Sequence, residues 1–131
     1  VFHTGTSGIG AGVKNSIRLD YGRPIYFDEI AIRFPNMKIV LAHFGWPWTE
    51  EAIAIATHKP NVYLDLSGWA PKYIPQVVWN YAKRFSDKFL FGSDFPLISP
   101  KRWLNEFNSI NLDVVIKNKL LSENARRILN L

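Results

Sequence analysis

Lys88-Phe89-Leu90-Phe91-Gly92-Ser93-Asp94-Phe95-Pro96 is the stretch on which the reading of this chain turns. Residues 88 to 93 are mostly apolar and aromatic, bounded by Asp87-Lys88 on one side and Pro96 on the other. A run of that length between breakers reads as a short strand buried on both faces, the pattern of a parallel sheet. Asp94 falls where this strand runs out. Gly92 leaves room for a close approach, and Pro96 forbids further ladder pairing. In parallel α/β folds catalytic side chains collect at the carboxyl ends of strands, so Asp94 reads as a functional carboxylate. The plainer reading is an aspartate that forms the following turn.

Three similar runs precede it. Val1 to Thr4 reads as the end of a strand carrying His3. Lys38 to His43 reads as a second, with Ile39, Leu41 and His43 on one side and Val40 and Ala42 on the other. Asn61 to Ser67 reads as a third, with Asp65 and Ser67 sharing a face opposite Leu64 and Leu66; polar groups there need partners, which a polar barrel mouth would supply. Helices are predicted between them: Pro24 to Phe34, with Pro24 in the first turn and a stripe of Ile25, Phe27, Ile30, Ala31 and Phe34; Thr49 to about Ala56, with Thr49 as cap and Glu50 and Glu51 favouring the dipole; and Tyr73 to Phe85. After the opening stretch come helices at Pro100 to Phe107 and Asp113 to Leu121, then a last one from Ser122, its N-cap, with Ala125, Ile128 and Leu129 facing inward. His58 ends the second helix as a surface residue. Strand and helix alternate through four strands, which implies βαβ crossovers and a parallel sheet. The expected fold class is α/β, the carboxyl-terminal half of a (β/α)8 TIM barrel, strands 5 to 8 with their helices, residues 1–131 forming a single partial domain. An eight-stranded barrel takes about 250 residues, and a half leaves two unpaired edges.

The 131 residues are 47% hydrophobic and 21% charged, enough for one core. No stretch approaches the ~20 apolar residues of a membrane span. With no cysteine, any metal must use His, Asp or Glu, and a reducing cytoplasm is the compartment expected. The net charge of +5 raises a nucleic-acid partner, but the basic residues never run longer than two, as in Lys83-Arg84 and Lys101-Arg102, so a solvated surface is preferred. Gly8, Gly10 and Gly12 suggest a phosphate loop, yet there is no Gly-Lys-Ser/Thr ending and no GxGxxG; a loop over a site fits better. Trp46, Trp48, Trp69 and Tyr73 follow strand ends and could wall a site or simply pack. Arg18 and Arg23 could hold a substrate carboxylate.

His3, His43 and Asp94 thus stand at the carboxyl ends of three strands, which a barrel brings around one axis. Two imidazoles and a carboxylate suit a catalytic divalent ion if further ligands join them. Phe2-His3-Thr4-Gly5, Ala42-His43-Phe44-Gly45-Trp46-Pro47, the run Asn61 to Gly68, Leu90 to Pro96, and Glu123-Asn124-Ala125-Arg126-Arg127-Ile128-Leu129 together resemble the amidohydrolase superfamily. More narrowly they resemble the amidohydrolase-related branch that includes aminocarboxymuconate-semialdehyde and γ-resorcylate decarboxylases. The resemblance implies a divalent metal, zinc foremost, at the barrel mouth. It places His3 at the fifth-strand metal ligand, His43 at the sixth-strand acid/base histidine, and Asp94 at the eighth-strand carboxylate that binds metal and handles its water.

The function so implied is hydrolysis or non-oxidative decarboxylation of a small, carboxylic or aromatic substrate. A barrel-derived scaffold or binding module is the alternative. The family's first strand carries a His-x-His pair or a Glu/His version, absent from this chain. The chain begins at Val1 inside an apolar run, and the expectation is a carboxyl part of something longer, inactive by itself and self-associating through its open edges.

Overall fold

The computed structural model describes residues 1–8 and 17–131. Gly10 and Gly12, on which the phosphate-loop reading leaned, lie outside the described residues. Four strands form one sheet in chain order, each parallel to the next: β1 (Phe2–His3), β2 (Ile39–Ala42), β3 (Val62–Asp65) and β4 (Phe89–Leu90). Between them lie α1 (Tyr26–Arg33), α2 (Thr49–His58) and α3 (Gln76–Arg84). Beyond β4 come α4 (Pro100–Asn108), α5 (Val114–Asn118) and α6 (Asn124–Leu129), the last two joined by a π turn over Lys119–Glu123. The α/β class and the parallel sheet are as expected.

The register sorts the side chains into two layers. Phe2 pairs with Leu41, Leu41 with Leu64, and Leu64 with Phe89. This row faces the helices: Leu41, Leu64 and Phe89 join the main core, and the Phe2 ring lies 4.8 Å from that of Phe27 on α1. The adjacent row, His3, Ala42, Asp65 and Leu90, therefore lies on the other face. One pleat toward the amino ends that face is apolar, where Val40 and Tyr63 pair, and these two pack with Leu90, Ile128 and Ala125. The main core centres on Trp103, Phe44, Phe89 and Phe107, all fully buried. Burying a side chain of this kind stabilises the fold by about 1.5–3 kcal/mol.

Three polar side chains tie elements together. Asn61 Nδ2 lies within hydrogen-bond distance of the carbonyls of Ala31, Phe34 and Met37, fastening the end of α1 to the start of β3. Lys88 Nζ donates to the carbonyls of Lys59, Pro60 and Val62 at 2.7–3.1 Å and lies 5.0 Å from the Tyr63 ring. Asn124 Nδ2 donates to Ser86 O and Phe89 O at 2.7 and 2.8 Å. Glu51 of α2 accepts from Ile25 N at 3.0 Å and so caps the start of α1, beyond the dipole role expected of it.

Several boundaries differ from expectation. The run 88–93 contributes only Phe89 and Leu90 to the ladder, because the Phe91 amide turns outward and donates to Leu120 O at 2.8 Å. No helix begins at Ser122. That residue lies inside the π turn, which runs on into α6 at the buried Asn124. Of the inward residues expected on α6, Ile128 is buried and Ala125 half-buried, but Leu129 is exposed. Pro24 precedes α1, whose buried stripe narrows to Phe27 and Ala31, with Ile25 and Phe34 exposed. The Thr49 hydroxyl makes no cap; it is buried without a partner at the start of α2. At β4, an edge strand with β3 as its one strand neighbour, two groups are nonetheless bonded. Its outward groups, Phe89 O and Phe91 N, are taken by Asn124 and Leu120.

Candidate active site

His3 ends β1 on the inner layer, and Asp94 follows β4 after Gly92 and Ser93. His43 arrives by a different route from the one alternation predicts. Continued extension would put it on the helix side with Leu41. Instead β2 stops at Ala42, and His43 and Phe44 both take positive φ, 68° and 41°. The turn exchanges the two side chains: Phe44 enters the main core, fully buried, and His43 comes to the inner face. Its ring stands edge-on to that of His3, 4.9 Å between centroids, and its Nδ1 is 3.0 Å from Ser67 Oγ. Left-handed backbone at non-glycine residues costs on the order of 1–3 kcal/mol each and persists where the surroundings enforce it. Here the burial of Phe44 supplies that enforcement.

Two glycines make the close approaches possible. A Cβ on Gly68 (φ 79°) would stand 2.5 Å from His43 Nδ1. A Cβ on Gly92 would stand 2.6 Å from Asp65 Oδ2 and 2.8 Å from Ser67 Cβ, so the room anticipated at Gly92 is used by Asp65 of β3 and by Ser67 just beyond it. Asp65 Oδ1 in turn accepts from Ser67 N at 2.5 Å. Asp94 also has positive φ, 62°, and is exposed.

The electrostatics link the same groups. Partial burial, and then the neighbouring His43 ring, lower the His3 pKa, while a hydrogen bond with the Gly5 backbone and the Asp94 carboxylate raise it. His3, His43 and Asp94 thus share one electrostatic neighbourhood. They do not make a complete ligand set: among the described residues no three His, Asp or Glu side chains stand close enough to hold a metal ion. The donor chemistry of His3 and Asp94 suits two positions of such a site, and further donors are required.

The arginines singled out in the sequence are occupied. Arg18 pairs with Asp20 through Nε at 3.0 Å and Nη2 at 3.1 Å. Arg23 bonds Glu51 at 2.6 Å and lies 5.7 Å from the Trp48 ring; Glu51 raises its pKa. Trp46 and Trp69 meet at 5.5 Å beside the His43 turn, with Trp46 exposed, whereas Tyr73 projects into solvent beneath Lys72. His58 is exposed at the end of α2, as expected. Sequence reasoning missed the pairing of Ser67 with His43. The available signal was the alternation of Asp65 and Ser67 on an otherwise apolar strand.

The model of the amidohydrolase family matches residues 1–131. The chain belongs to that family. This bears out the resemblance carried by the motifs around His3, His43 and Asp94. An uncharacterised TIM-barrel protein of Bordetella bronchiseptica superposes with a TM-score of 0.77 at 25% identity, covering 98% of this chain and 44% of that one. An amidohydrolase of Burkholderia multivorans with bound zinc superposes at 0.68 and 19% identity, covering 82% of this chain and 49% of that one. A 2,6-dihydroxybenzoate decarboxylase superposes at 0.64 and 16% identity, over 86% and 42% of the respective chains. Part of the chain, 52 residues or 40% of it, is 38% identical to Protein fluG of Emericella nidulans and spans 6% of that protein. The chain therefore spans less than half the length of each of these relatives. A related decarboxylase of Polaromonas was crystallised with manganese, so divalent metals recur among the neighbours.

Proposed function

We propose that this chain forms strands 5 to 8 of a (β/α)8 barrel in a divalent-metal-dependent amidohydrolase-type enzyme. Such an enzyme would hydrolyse or non-oxidatively decarboxylate a small carboxylic or aromatic substrate. The observation that carries the reading is the convergence of His3, His43 and the Asp94 field at the carboxyl ends of parallel strands running in chain order. Its extent, less than half of the neighbouring barrels, agrees with a half-barrel.

In this reading His3 and Asp94 are two of the metal's ligands and His43 transfers a proton to or from the substrate. Zinc is the first candidate, on the ligand types. A divalent ion bound here supplies a water acidified to near neutral pH and stabilises developing negative charge. The residues do the rest. Asp94 would help hold the ion and serve as a base toward water, and His43 would deliver or accept a proton at the ring nitrogen not bonded to Ser67. Trp46 and Trp69 offer an apolar wall for a planar substrate. The lack of a three-group cluster among the described residues favours a second reading, a barrel-derived module without chemistry.

The test compares His3→Ala, Asp94→Ala and His43→Ala in the intact protein that carries this chain, with metal content by elemental analysis and turnover on 2,6-dihydroxybenzoate and related acids. Loss of metal in the first two is expected, because each ligand is a large part of a site's affinity. Retained metal with about 10²- to 10⁴-fold slower turnover is expected for His43→Ala. If His43→Ala emptied the site while Asp94→Ala kept it full, the assigned roles would be wrong. Metal-free wild-type protein would favour the module.

A further inference from the structure

We propose that Ser67 is the positioning residue of His43, its hydroxyl fixing which ring nitrogen carries the proton. The proposal deepens the reading of His43 as the proton-transfer group and rests on it for its functional meaning. The geometry itself stands apart from that reading.

Ser67 is 7% exposed, and its Oγ lies 3.0 Å from His43 Nδ1, the only hydrogen bond made by that hydroxyl among the described residues. A serine hydroxyl has one proton and two lone pairs, and a neutral imidazole has one donor and one acceptor nitrogen. Were Nδ1 the protonated nitrogen, it would donate to Oγ and strand the buried hydroxyl proton. Leaving a buried donor unmatched costs about 1–3 kcal/mol. The hydroxyl therefore donates to Nδ1, and neutral His43 carries its proton on Nε2. That nitrogen is free of Ser67.

The serine is itself held rigidly. Its amide donates to Asp65 Oδ1, and the amide of Leu66 donates to Leu90 O at 3.0 Å. On the histidine side, the left-handed turn anchored by Phe44 sets the ring's origin, and the bare α-carbon of Gly68 admits Nδ1. A hydroxyl aimed at one ring nitrogen of an acid/base histidine sets its tautomer as a carboxylate or carbonyl does elsewhere.

The experiment is long-range ¹H–¹⁵N correlation spectroscopy on the 131-residue chain with ¹⁵N-labelled histidine. Three histidines are present, and His43→Gln identifies the signals of interest. At a pH where His43 is neutral, the expected pattern is pyridine-type Nδ1 and pyrrole-type Nε2. Ser67→Ala should shift Nδ1 and admit the second tautomer, with the backbone amide spectrum otherwise kept. Ser67→Cys, close in size with a weaker S–H donor, should fall between, and serves if the alanine variant loosens the turn. A wild-type ring protonated on Nδ1, or a tautomer unchanged in both variants, would overturn the proposal. None of these outcomes depends on turnover, so failure of the catalytic reading of His43 shows separately, in the activity of His43→Ala.

Discussion

A methyl group at position 68 would occupy the space that His43 Nδ1 now fills, and the backbone there sits at φ 79°. Gly68→Ala combines a steric conflict with left-handed strain of about 1–3 kcal/mol. The expected outcome is a lower melting temperature together with a displaced His43 ring, seen as altered His43 ring shifts. A variant as stable as the wild type with unchanged shifts would contradict the packing described.

Lys88 gives a second residue-scale prediction, one with a sign in pH. Burial, with Arg127 and Lys38 nearby, lowers its pKa from 10.5 to about 8, outweighing Asp87. Because the unfolded chain holds this proton more tightly, it binds more protons between pH 8 and 10.5. Stability therefore rises with pH across that window and is lost again as pH falls through 8. Removing the side chain in Lys88→Met should flatten this component in denaturant melts taken from pH 7 to 11. At neutral pH the same variant leaves the carbonyls of Lys59, Pro60 and Val62 without their donor. A loss of about 1–3 kcal/mol is expected there.

At the scale of elements, two asparagines hold the ends of helices and strands. Asn61→Ala should destabilise the chain by about 1–3 kcal/mol, read by chemical denaturation, since three carbonyls lose one donor group. Amide exchange should speed first around α1 and β2. What was legible in the sequence follows from the same local physics. The apolar runs ending in His3, His43, Ser67 and Asp94 announced four strands, because an alternating pleat and breakers leave a clear pattern. The exchange of His43 and Phe44 across the sheet left no such pattern. It depends on Phe44 finding a place among residues distant in sequence, such as Trp69, 5.8 Å away. Likewise Ser122 looked like a cap, but it lies within the π turn that leads into Asn124, whose partners Ser86 and Phe89 are distant in sequence.

At the scale of the whole molecule, β1 and β4 are the two border strands of the sheet among the described residues. β1 presents the side of the sheet opposite β4, and the exposed Phe2 lies along it. Self-association at micromolar concentration, through β1 rather than β4, is expected because an open edge with apolar flanks invites pairing. Sedimentation velocity checks this. Replacing Phe2 with lysine, a common edge blocker, should shift the chain toward monomer, and a monomeric wild type would count against it.

The π turn gives this sheet a direction. By dropping out of the α-helical ladder, Leu120 lends its carbonyl to Phe91, and one turn later Asn124 reaches Phe89. The two borders of the sheet therefore differ: β4 already has Phe89 O and Phe91 N bonded to the chain that follows it. A further strand beside β4 would meet these two bonds first, so its ladder would have to compete with them or begin beyond them. The π turn is what carries this asymmetry: removing Lys119 to give an α-helical register is expected to weaken the Leu120–Phe91 bond and speed amide exchange at Phe91.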